Sequence, residues 1–193
     1  MITTYDEGLA QRMRIFRNHG ITIDHRQRAE QGSFFYEMGD LGYNYRLTDI
    51  QCALGLSQLK KFPEFVRRRG EIAAQYYAAL ASTRTVRPLS VLDDVQHAYH
   101  LYIVQLQLDR LRVGRSEIFE ALRAENIGVN VHYMPVYMHH YHKRFVDDGS
   151  KLCPVAEVAL ECILSLPIFP SMTDKDVEQV IEALDKTLNE FEV

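Results

Sequence analysis

The spacing of apolar residues along the chain predicts that it begins with an amphipathic helix at about residues 4–18. Leu9, Met13 and Phe16 recur every three to four residues, which places them on one face of a helix. The sequence Thr-Tyr-Asp-Glu at residues 4–7 is typical of a capping box at the start of that helix, and Gly20 can end it in a left-handed conformation. This apolar stripe needs a partner, which we expect in a larger protein of which the chain is a part.

Two further helices are predicted after a polar stretch, about residues 21–41, that is expected to form a long loop. The first starts with a second capping-box pattern at residues 48–51 and runs to about residue 61. Its apolar residues lie on nearly every side, so we expect it to be buried. Pro63 suits the first turn of the second helix, which is predicted to run to about residue 81. Three arginines at positions 67–69 are interpreted as the solvent-facing side of that helix.

Beyond about residue 83 the pattern changes to short strands alternating with helices, which is typical of an α+β domain. Residues 84–193 are therefore predicted to form a small α+β domain. Residues 1–83 are predicted to be helices and a functional loop at the edge of a larger domain. The predicted elements of the second part are a connector at 85–94, a strand at 99–106, a helix at 116–124, a strand at 129–133, a helix from Pro154, a strand at 163–166 and a final helix capped by Thr173.

Composition narrows the class of protein. The chain has 193 residues, a net charge of −4 and a pI near 6.1, so a general affinity for nucleic acid or for a membrane surface is not expected. No apolar run approaches the roughly 20 residues that cross a bilayer, and the first residues lack the features of a signal peptide, so a cytoplasmic location is expected. Cys52, Cys153 and Cys162 are predicted to be free thiols, with Cys52 and Cys162 buried.

The strongest candidate for chemistry is the segment Gly-Tyr-Asn-Tyr-Arg-Leu-Thr-Asp at residues 42–49. Gly39 and Gly42 allow the backbone to turn sharply. Asn44 offers amide donors, and Arg46 offers a guanidinium fork that suits phosphate or carboxylate. The helix start that follows adds the positive end of a helix dipole, so these groups together can bind an anion. The alternative is a polar turn, with Asn44 in a left-handed conformation and Arg46 on the surface.

A resemblance to a known family favours the anion site. Residues 42–59 resemble the signature loop and helix of the DegT/DnrJ/EryC1/StrS family of sugar aminotransferases, which use pyridoxal phosphate. Four further segments are similar to that family, in the family's order. They are residues 14–20 (Arg-Ile-Phe-Arg-Asn-His-Gly), 128–135 (Gly-Val-Asn-Val-His-Tyr-Met-Pro), 164–170 (Leu-Ser-Leu-Pro-Ile-Phe-Pro) and the helix after Thr173.

The resemblance implies an α+β fold, the C-terminal region of the aspartate aminotransferase (type I) fold, with long helices followed by a small antiparallel or mixed sheet packed with helices. It also implies a homodimer that transfers an amino group from glutamate to a nucleotide-linked keto sugar. By this similarity Asn44 binds the phosphate of the partner subunit's pyridoxal phosphate, and Arg46, His132 and Tyr133 bind the sugar nucleotide. The details look closest to the pseudaminic acid pathway transaminases, which aminate carbon 4 of a UDP-linked sugar.

This chain differs from the family in one respect, the Schiff-base lysine. In the family that lysine is expected upstream of the segment that the start of this chain resembles. No lysine here occupies that motif, so no catalytic residue is assigned, and whether this chain is an enzyme stays open. We expect the C-terminal portion of an aminotransferase that is inactive alone. The alternatives are a non-catalytic protein that binds a nucleotide-sugar or dimerises, and a relic of a split gene. The lysines present are Lys60, Lys61, Lys143, Lys151, Lys175 and Lys186.

Four histidines lie within eleven residues, and imidazole is a common ligand of zinc, nickel and copper. No acidic or cysteine partner at a fixed spacing completes such a site, so no metal ligand is assigned. A substrate-facing loop and a plain surface loop are the other interpretations of this segment. The histidines are His132, His139, His140 and His142.

Overall fold

The structure, a computed structural model, describes residues 2–146 and 152–193. Its contacts divide the chain into two compact units, Met1–Lys60 (unit 1) and Lys61–Val193 (unit 2). This division falls inside a long helix rather than near Thr83. The assignment of residues 1–83 to the edge of a larger domain stays a prediction.

Unit 1 begins with helix α1, Glu7–Phe16, which starts two residues later than the capping pattern suggested. Asp6 is the cap, because its carboxylate accepts a hydrogen bond from the Leu9 amide at 2.8 Å. The Thr4 hydroxyl instead accepts from the Asp6 amide at 3.1 Å, which supports the turn before the helix. The helix ends before residue 18, and Gly20 follows with a φ of 71°, as expected for a left-handed residue after a helix.

The predicted long loop contains a short helix, α2, His25–Glu30. Asp24 and Gln27 form a capping box at its start, with the Asp24 carboxylate accepting from the Arg26 and Gln27 amides at 2.8 and 3.0 Å. These backbone amides hold the pKa of Asp24 below its usual value, and the nearby His25 and Arg26 charges act in the same direction. The apolar pattern could not reveal this helix, because its six residues include no apolar stripe.

Helix α3 runs without a break from Asp49 to Leu80, so the prediction of two helices separated at Pro63 was wrong. Proline inside a helix removes one backbone hydrogen bond and costs about 3 kcal/mol. Four buried residues in the last third of α3 anchor the helix in unit 2 and offset that cost; they are Ile72, Ala73, Tyr76 and Leu80.

The first half of α3 was predicted to be buried, and in this chain it is exposed. Ile50, Leu54 and Leu59 are 83%, 61% and 55% exposed. Cys52 in the same segment is also exposed, which corrects its predicted burial, whereas Cys162 is buried as predicted. Apolar residues on all sides of a helix predict that the helix is buried, but they do not identify the surface that buries it.

Unit 2 contains a three-stranded antiparallel sheet in the order β1-β2-β3. The strands are β1 (Val86–Pro88), β2 (Tyr102–Leu106) and β3 (Ile163–Leu166). Val86 pairs with Leu106, and Tyr102 pairs with Leu166. Strand β1 lies where a connector was expected. Residues 129–133 form only an isolated bridge from Asn130 to Ser165, not the predicted strand.

Four helices of unit 2 follow the sheet's first two strands, and three of them agree with the sequence pattern. Pro154 occupies the first turn of α6, and Thr173 forms a capping box with Asp176 at the start of α7, as predicted. Short 3-10 turns lie at Leu108–Arg110 and Val136–Met138. The helices are α4 (Arg115–Ala124), α5 (His140–Lys143), α6 (Pro154–Cys162) and α7 (Asp174–Phe191).

One core joins the sheet to α3, α4 and α7. Alternate residues of β2 are buried, which is the pattern of a strand with one face on a core. Helices α4 and α7 contribute apolar residues at helical spacing. The most deeply buried members are Ile72, Tyr76, Val104, Ile118, Leu122, Leu164 and Val177. No helix in the described residues is long and apolar enough to cross a membrane.

The arginines at 67–69 do not form a solvated face, which corrects that prediction. Arg68 donates to the Met172 carbonyl at 2.7 Å and to the Asp174 carboxylate at 2.9 Å. Arg69 donates to the carbonyls of Tyr99, His100 and Ile168 at 2.8, 3.1 and 3.0 Å. Only Arg67 is largely exposed. Two of the three charges therefore fasten α3 to loops of unit 2.

We predict that Val177→Ala lowers the free energy of unfolding by about 2 kcal/mol, because it removes fully buried methyl groups from the core. Val155→Ala makes the same chemical change in α6 at a side chain that is 83% exposed, and it should change stability by less than about 0.5 kcal/mol. Urea unfolding followed by circular dichroism measures both values. Equal losses in the two variants would contradict the core described above.

Candidate functional site

The segment that carries Asn44 is fastened to the end of α1 by backbone hydrogen bonds. The Tyr43 amide donates to the Phe16 carbonyl at 2.7 Å, and the His19 amide donates to the Tyr43 carbonyl at 3.0 Å. The Tyr45 amide donates to the Arg17 carbonyl at 3.0 Å, and Asn18 and Asn44 form an antiparallel bridge. The segment is therefore held in register like a short strand.

Two glycines allow these backbones to meet. A Cβ on Gly42 would lie 2.0 Å from the Gly20 nitrogen, and a Cβ on Gly20 would lie 1.7 Å from the Asp40 carbonyl oxygen. Neither distance can be accommodated by a small shift of a flexible side chain, because the obstructing atoms belong to the backbone. The glycines with a positive φ in the described residues are Gly20 and Gly32, so the sharp turn expected at Gly39 and Gly42 is not found. Gly42 is needed instead for this close approach of the two backbones.

Aromatic side chains pack around the same joint. The Tyr43 and Tyr45 rings stack with centroids 5.3 Å apart and planes 9° apart. Phe16 meets Tyr43 edge to face at 5.2 Å. This cluster supports the backbone between the tyrosines and leaves the intervening Asn44 side chain exposed.

Arg46 and the start of α3 lie directly after this cluster. The Arg46 guanidinium donates to the Asn18 side-chain oxygen, which holds an otherwise exposed side chain beside the Asn44 segment. Thr48 and Gln51 exchange the hydrogen bonds of a capping box, as predicted: the Thr48 amide donates to Gln51 Oε1 at 2.9 Å, and the Gln51 amide donates to Thr48 Oγ1 at 3.3 Å.

The alternative polar turn required a left-handed Asn44. In the described residues the non-glycine residues with positive φ are His19, Tyr99 and Asn126, so Asn44 does not have that conformation. Asn44 is held by its bridge to Asn18 in an extended segment, and the residue is exposed. The roles of Asn44 and Arg46 stay predictions.

His132 and Tyr133 lie in unit 2, after the Asn130–Ser165 bridge. His132 Nδ1 is 2.8 Å from the Ser165 hydroxyl, and the His132 and Tyr133 rings meet edge to face at 4.5 Å. Tyr133 is 72% exposed. Ser165 is a buried residue of β3 that sequence reasoning did not select, although its polar side chain inside an apolar strand was a visible signal.

The structure brings Asn44 and Arg46 together within unit 1, and His132 and Tyr133 together within unit 2. The other three histidines of the predicted cluster, His139, His140 and His142, lie at α5, where the Tyr141 ring packs against His142 with centroids 5.1 Å apart. Within residues 2–146 and 152–193, no group of three or more histidine, cysteine or acidic side chains is arranged to hold a metal ion. Nearby, the Tyr137 hydroxyl donates to Glu157 at 2.8 Å, and burial and this carboxylate raise the pKa of Tyr137.

Comparison with known proteins tests the resemblance. Residues 1–185 match the model of the DegT/DnrJ/EryC1/StrS aminotransferase family. The chain belongs to this family. The α+β fold class expected from the resemblance is confirmed, with a small antiparallel sheet and neighbours that are aminotransferases.

The relatives of this family member include proteins of sugar metabolism. The spore coat polysaccharide biosynthesis protein SpsC of Bacillus subtilis is 40% identical over 186 residues, covering 95% of this chain and 48% of SpsC. PseC of Helicobacter pylori, an aminotransferase involved in the biosynthesis of pseudoaminic acid, superposes with a TM-score of 0.85 at 29% identity, covering 97% of this chain and 48% of PseC.

A third relative has been solved with its cofactor. The sugar aminotransferase Spr1654 of Streptococcus pneumoniae, in its PMP form, superposes with a TM-score of 0.84 at 28% identity, covering 97% of this chain and 46% of that chain. A PLP form of the same protein matches similarly. The chain spans about half the length of the relatives that it matches.

We predict that Gly42→Ala opens the joint between α1 and the Asn44 segment, because the new Cβ would meet the Gly20 backbone. Hydrogen exchange at the Tyr43 and His19 amides should accelerate at least tenfold. Gly55→Ala is the matched control, because nothing lies within 4 Å of a Cβ at Gly55. Alanine also stabilises a helix interior by about 0.5–1 kcal/mol relative to glycine. Unchanged exchange in Gly42→Ala would show that the segment does not depend on this contact.

Proposed function

We propose that this chain is the C-terminal portion of a pyridoxal-phosphate-dependent aminotransferase that moves an amino group from glutamate to a nucleotide-linked keto sugar, as part of glycan or polysaccharide biosynthesis. The observation that supports this most is the Asn44 segment. Its backbone is fastened to α1, and its Asn44 amide and Arg46 guanidinium are adjacent and accessible. Membership of a family of sugar aminotransferases supports the reaction type.

The residues of unit 1 fit one end of the cofactor. An exposed amide, a guanidinium and a nearby helix start are the groups that bind phosphate in many proteins. When bound, pyridoxal phosphate supplies an aromatic ring that accepts the electron pair released at the reacting carbon. We assign Asn44 to the cofactor phosphate, in a neighbouring subunit, and Arg46 to the phosphate-bearing part of the substrate.

We assign no lysine of the described residues as the covalent anchor of the cofactor. Lys60 is the nearest lysine along the chain, and eleven helical steps of 1.5 Å place it about 16 Å along α3 from Asp49. Lys186 is engaged with Glu125, and Lys151 lies outside the described residues. We therefore propose that the Schiff-base lysine lies in the half of the relatives' length that this chain does not match.

His132 and Tyr133 are proposed to line the sugar pocket. Ser165 holds the His132 ring through Nδ1, so the other ring nitrogen, Nε2, is free to meet a substrate hydroxyl or phosphate. Tyr133 exposes most of its ring, and an aromatic face is a suitable wall for a sugar or a base. These two residues bind and orient the substrate and transfer no proton in this proposal.

Assembly is the second part of the proposal. The first half of α3 exposes Ile50, Leu54 and Leu59 along with further apolar residues, and clusters of this kind mark contact surfaces. We infer a homodimer or larger assembly, with these residues covered by the rest of the protein or by a second subunit. A protein that dimerises or binds nucleotide-sugars without catalysis is the alternative that the same exposed surface favours.

We predict that the 193-residue chain alone shows no transamination of a UDP-linked keto sugar with glutamate, and that adding the half of SpsC that this chain does not match, where we place the Schiff-base lysine, restores turnover. Activity is measured by the release of 2-oxoglutarate. Turnover by the isolated chain would contradict the assignment of the lysine to the half of the relatives that this chain does not match.

Asn44→Ala should lower the affinity of the reconstituted enzyme for pyridoxal phosphate about tenfold to a hundredfold, because it removes a hydrogen bond to a charged group. Asn189→Ala is the matched control, since Asn189 is exposed on α7 and bonds only Asp185 within the described residues. Cofactor titration followed by absorbance gives both affinities. Equal affinities in the two variants would remove Asn44 from the phosphate site.

A further inference from the structure

His132 is held by a contact between parts of unit 2 that are far apart in the chain. Its Nδ1 lies 2.8 Å from the Ser165 hydroxyl oxygen, 33 positions later. The backbones of Asn130 and β3 bring the two side chains together, because the Ser165 amide donates to the Asn130 carbonyl at 2.8 Å and the Asn130 amide donates to the Ser165 carbonyl at 3.2 Å. The Tyr133 ring also packs against the imidazole, with planes 81° apart. Two contacts therefore restrain the imidazole.

Ser165 is a polar residue in an otherwise apolar strand. It is 4% exposed, and its neighbours in β3, Leu164 and Leu166, belong to the hydrophobic core. Successive side chains of a strand point to opposite faces, so the Ser165 hydroxyl lies on the other face from these leucines. A buried hydroxyl needs an acceptor for its hydrogen. Among residues 2–146 and 152–193, the one group that is hydrogen-bonded to the Ser165 hydroxyl is His132 Nδ1.

This buried contact fixes the direction of the hydrogen bond. In a neutral imidazole one ring nitrogen carries a hydrogen and donates, and the other accepts. If Nδ1 carried the hydrogen, the serine oxygen would accept it, and the hydroxyl's own hydrogen would be buried without an acceptor. A doubly protonated ring fails in the same way. If Nδ1 carries no hydrogen, the hydroxyl donates to it and both groups are satisfied.

We propose that Ser165 donates its hydroxyl hydrogen to His132 Nδ1 and so fixes His132 as a neutral ring with its hydrogen on Nε2. Ser165 is then a positioning residue, which acts on the substrate only through His132. The contact of His132 with the substrate rests on the proposed function, whereas the position of the ring hydrogen rests on the buried contact alone.

The position of this hydrogen determines which ligand atom His132 binds. Nε2–H is a donor, and it has no hydrogen-bond partner within the part of the chain that the structure describes. Carbonyl and phosphate oxygens accept hydrogen bonds and do not donate them, so they suit this donor. In a nucleotide-linked keto sugar these atoms are the sugar carbonyl and the diphosphate oxygens. The opposite tautomer would instead require a ligand group that donates, such as an amine.

The first test observes the ring hydrogen in the 193-residue chain by nuclear magnetic resonance. The protein is labelled with ¹⁵N in its histidines and studied at a pH alkaline enough to keep imidazole neutral. Two-bond ¹H–¹⁵N spectra show which nitrogen of each ring carries the hydrogen, and the signals of His132 are those that vanish in His132→Gln. We expect the hydrogen on Nε2. A hydrogen on Nδ1 would overturn the proposal, and this measurement requires no variant of Ser165.

The second test removes the proposed donor. Ser165→Ala should move the Nδ1 resonance of His132 downfield, because a ring nitrogen that accepts a hydrogen bond resonates upfield of a free one. Ser82→Ala is the matched control, since it makes the same change at an exposed serine of unit 2 and should leave His132 unchanged. Circular dichroism checks that both variants are folded. An unchanged Nδ1 resonance in Ser165→Ala would show that Ser165 does not hold this nitrogen.

The third test uses the enzyme reconstituted with the unmatched half of SpsC. Ser165→Ala should raise KM for the UDP-linked keto sugar about tenfold and lower kcat less, because the lost restraint affects binding before the reaction. Inhibition by UDP separates the two acceptors. Weaker inhibition in Ser165→Ala indicates a diphosphate oxygen, and unchanged inhibition indicates the sugar carbonyl. Unchanged KM would overturn the role of the Nε2 hydrogen in substrate binding. Absence of turnover in the unsubstituted enzyme would contradict the proposed function instead, and the spectra would still decide the tautomer.

Discussion

Direct contact between two stretches of backbone is the constraint on which unit 1 depends. Gly20 is the only buried residue among residues 2–60, so this part of the chain has almost no hydrophobic core of its own. Its order comes from hydrogen bonds between the end of α1 and the Asn44 segment, and these form only because Gly20 and Gly42 let the backbones meet. The placement of Asn44 and the restraint on Arg46 both follow from that contact.

Unit 2 is stabilised in a different way. Its sheet, α4 and α7 share a core of fully buried aliphatic residues, and the last third of α3 is part of that core. Helix α3 is therefore buried at its C-terminal end and exposed to solvent at its N-terminal end. A hydrophobic core can keep unit 2 folded in this chain alone, whereas the apolar residues at the start of α3 gain stability only when another surface covers them.

Sequence reasoning succeeded where one local pattern determines the structure. The final helix and its cap, Pro154 at the start of α6 and strand β3 were all predicted, because each has a periodic or capping signal in adjacent residues. The family resemblance identified the fold class, which periodicity alone could not have named. The predicted break at Pro63 failed because the burial of Ile72 and Tyr76 outweighs the local preference of proline.

Other features depend on residues far apart in sequence and were out of reach. The carbonyl groups that bind Arg69 lie 30 to 99 positions away, so a run of three arginines looked like a solvated surface. Burial of Cys52 was expected from its neighbours, yet the surface that would cover it is not in this chain. The Asn44 segment was visible in the sequence, but the arginines of α1 and α2 that line one cleft with Arg46 are brought together by contacts that no linear pattern records.

Arg68 and Arg69 both bind α3 to loops of unit 2, but their contacts depend on pH to different degrees. Gln75 and Arg68 together hold the pKa of Asp174 below its ordinary value, so that carboxylate stays ionised and bonded until the solution becomes more acidic than the usual range of an aspartate. Below its lowered pKa the Arg68–Asp174 bond is lost. Arg69 binds only backbone carbonyls, which do not titrate. Acid would therefore weaken the attachment of the start of α7 to α3, although Arg68 would keep its bond to the Met172 carbonyl, and it would leave Arg69 bound to the Tyr99–His100 turn.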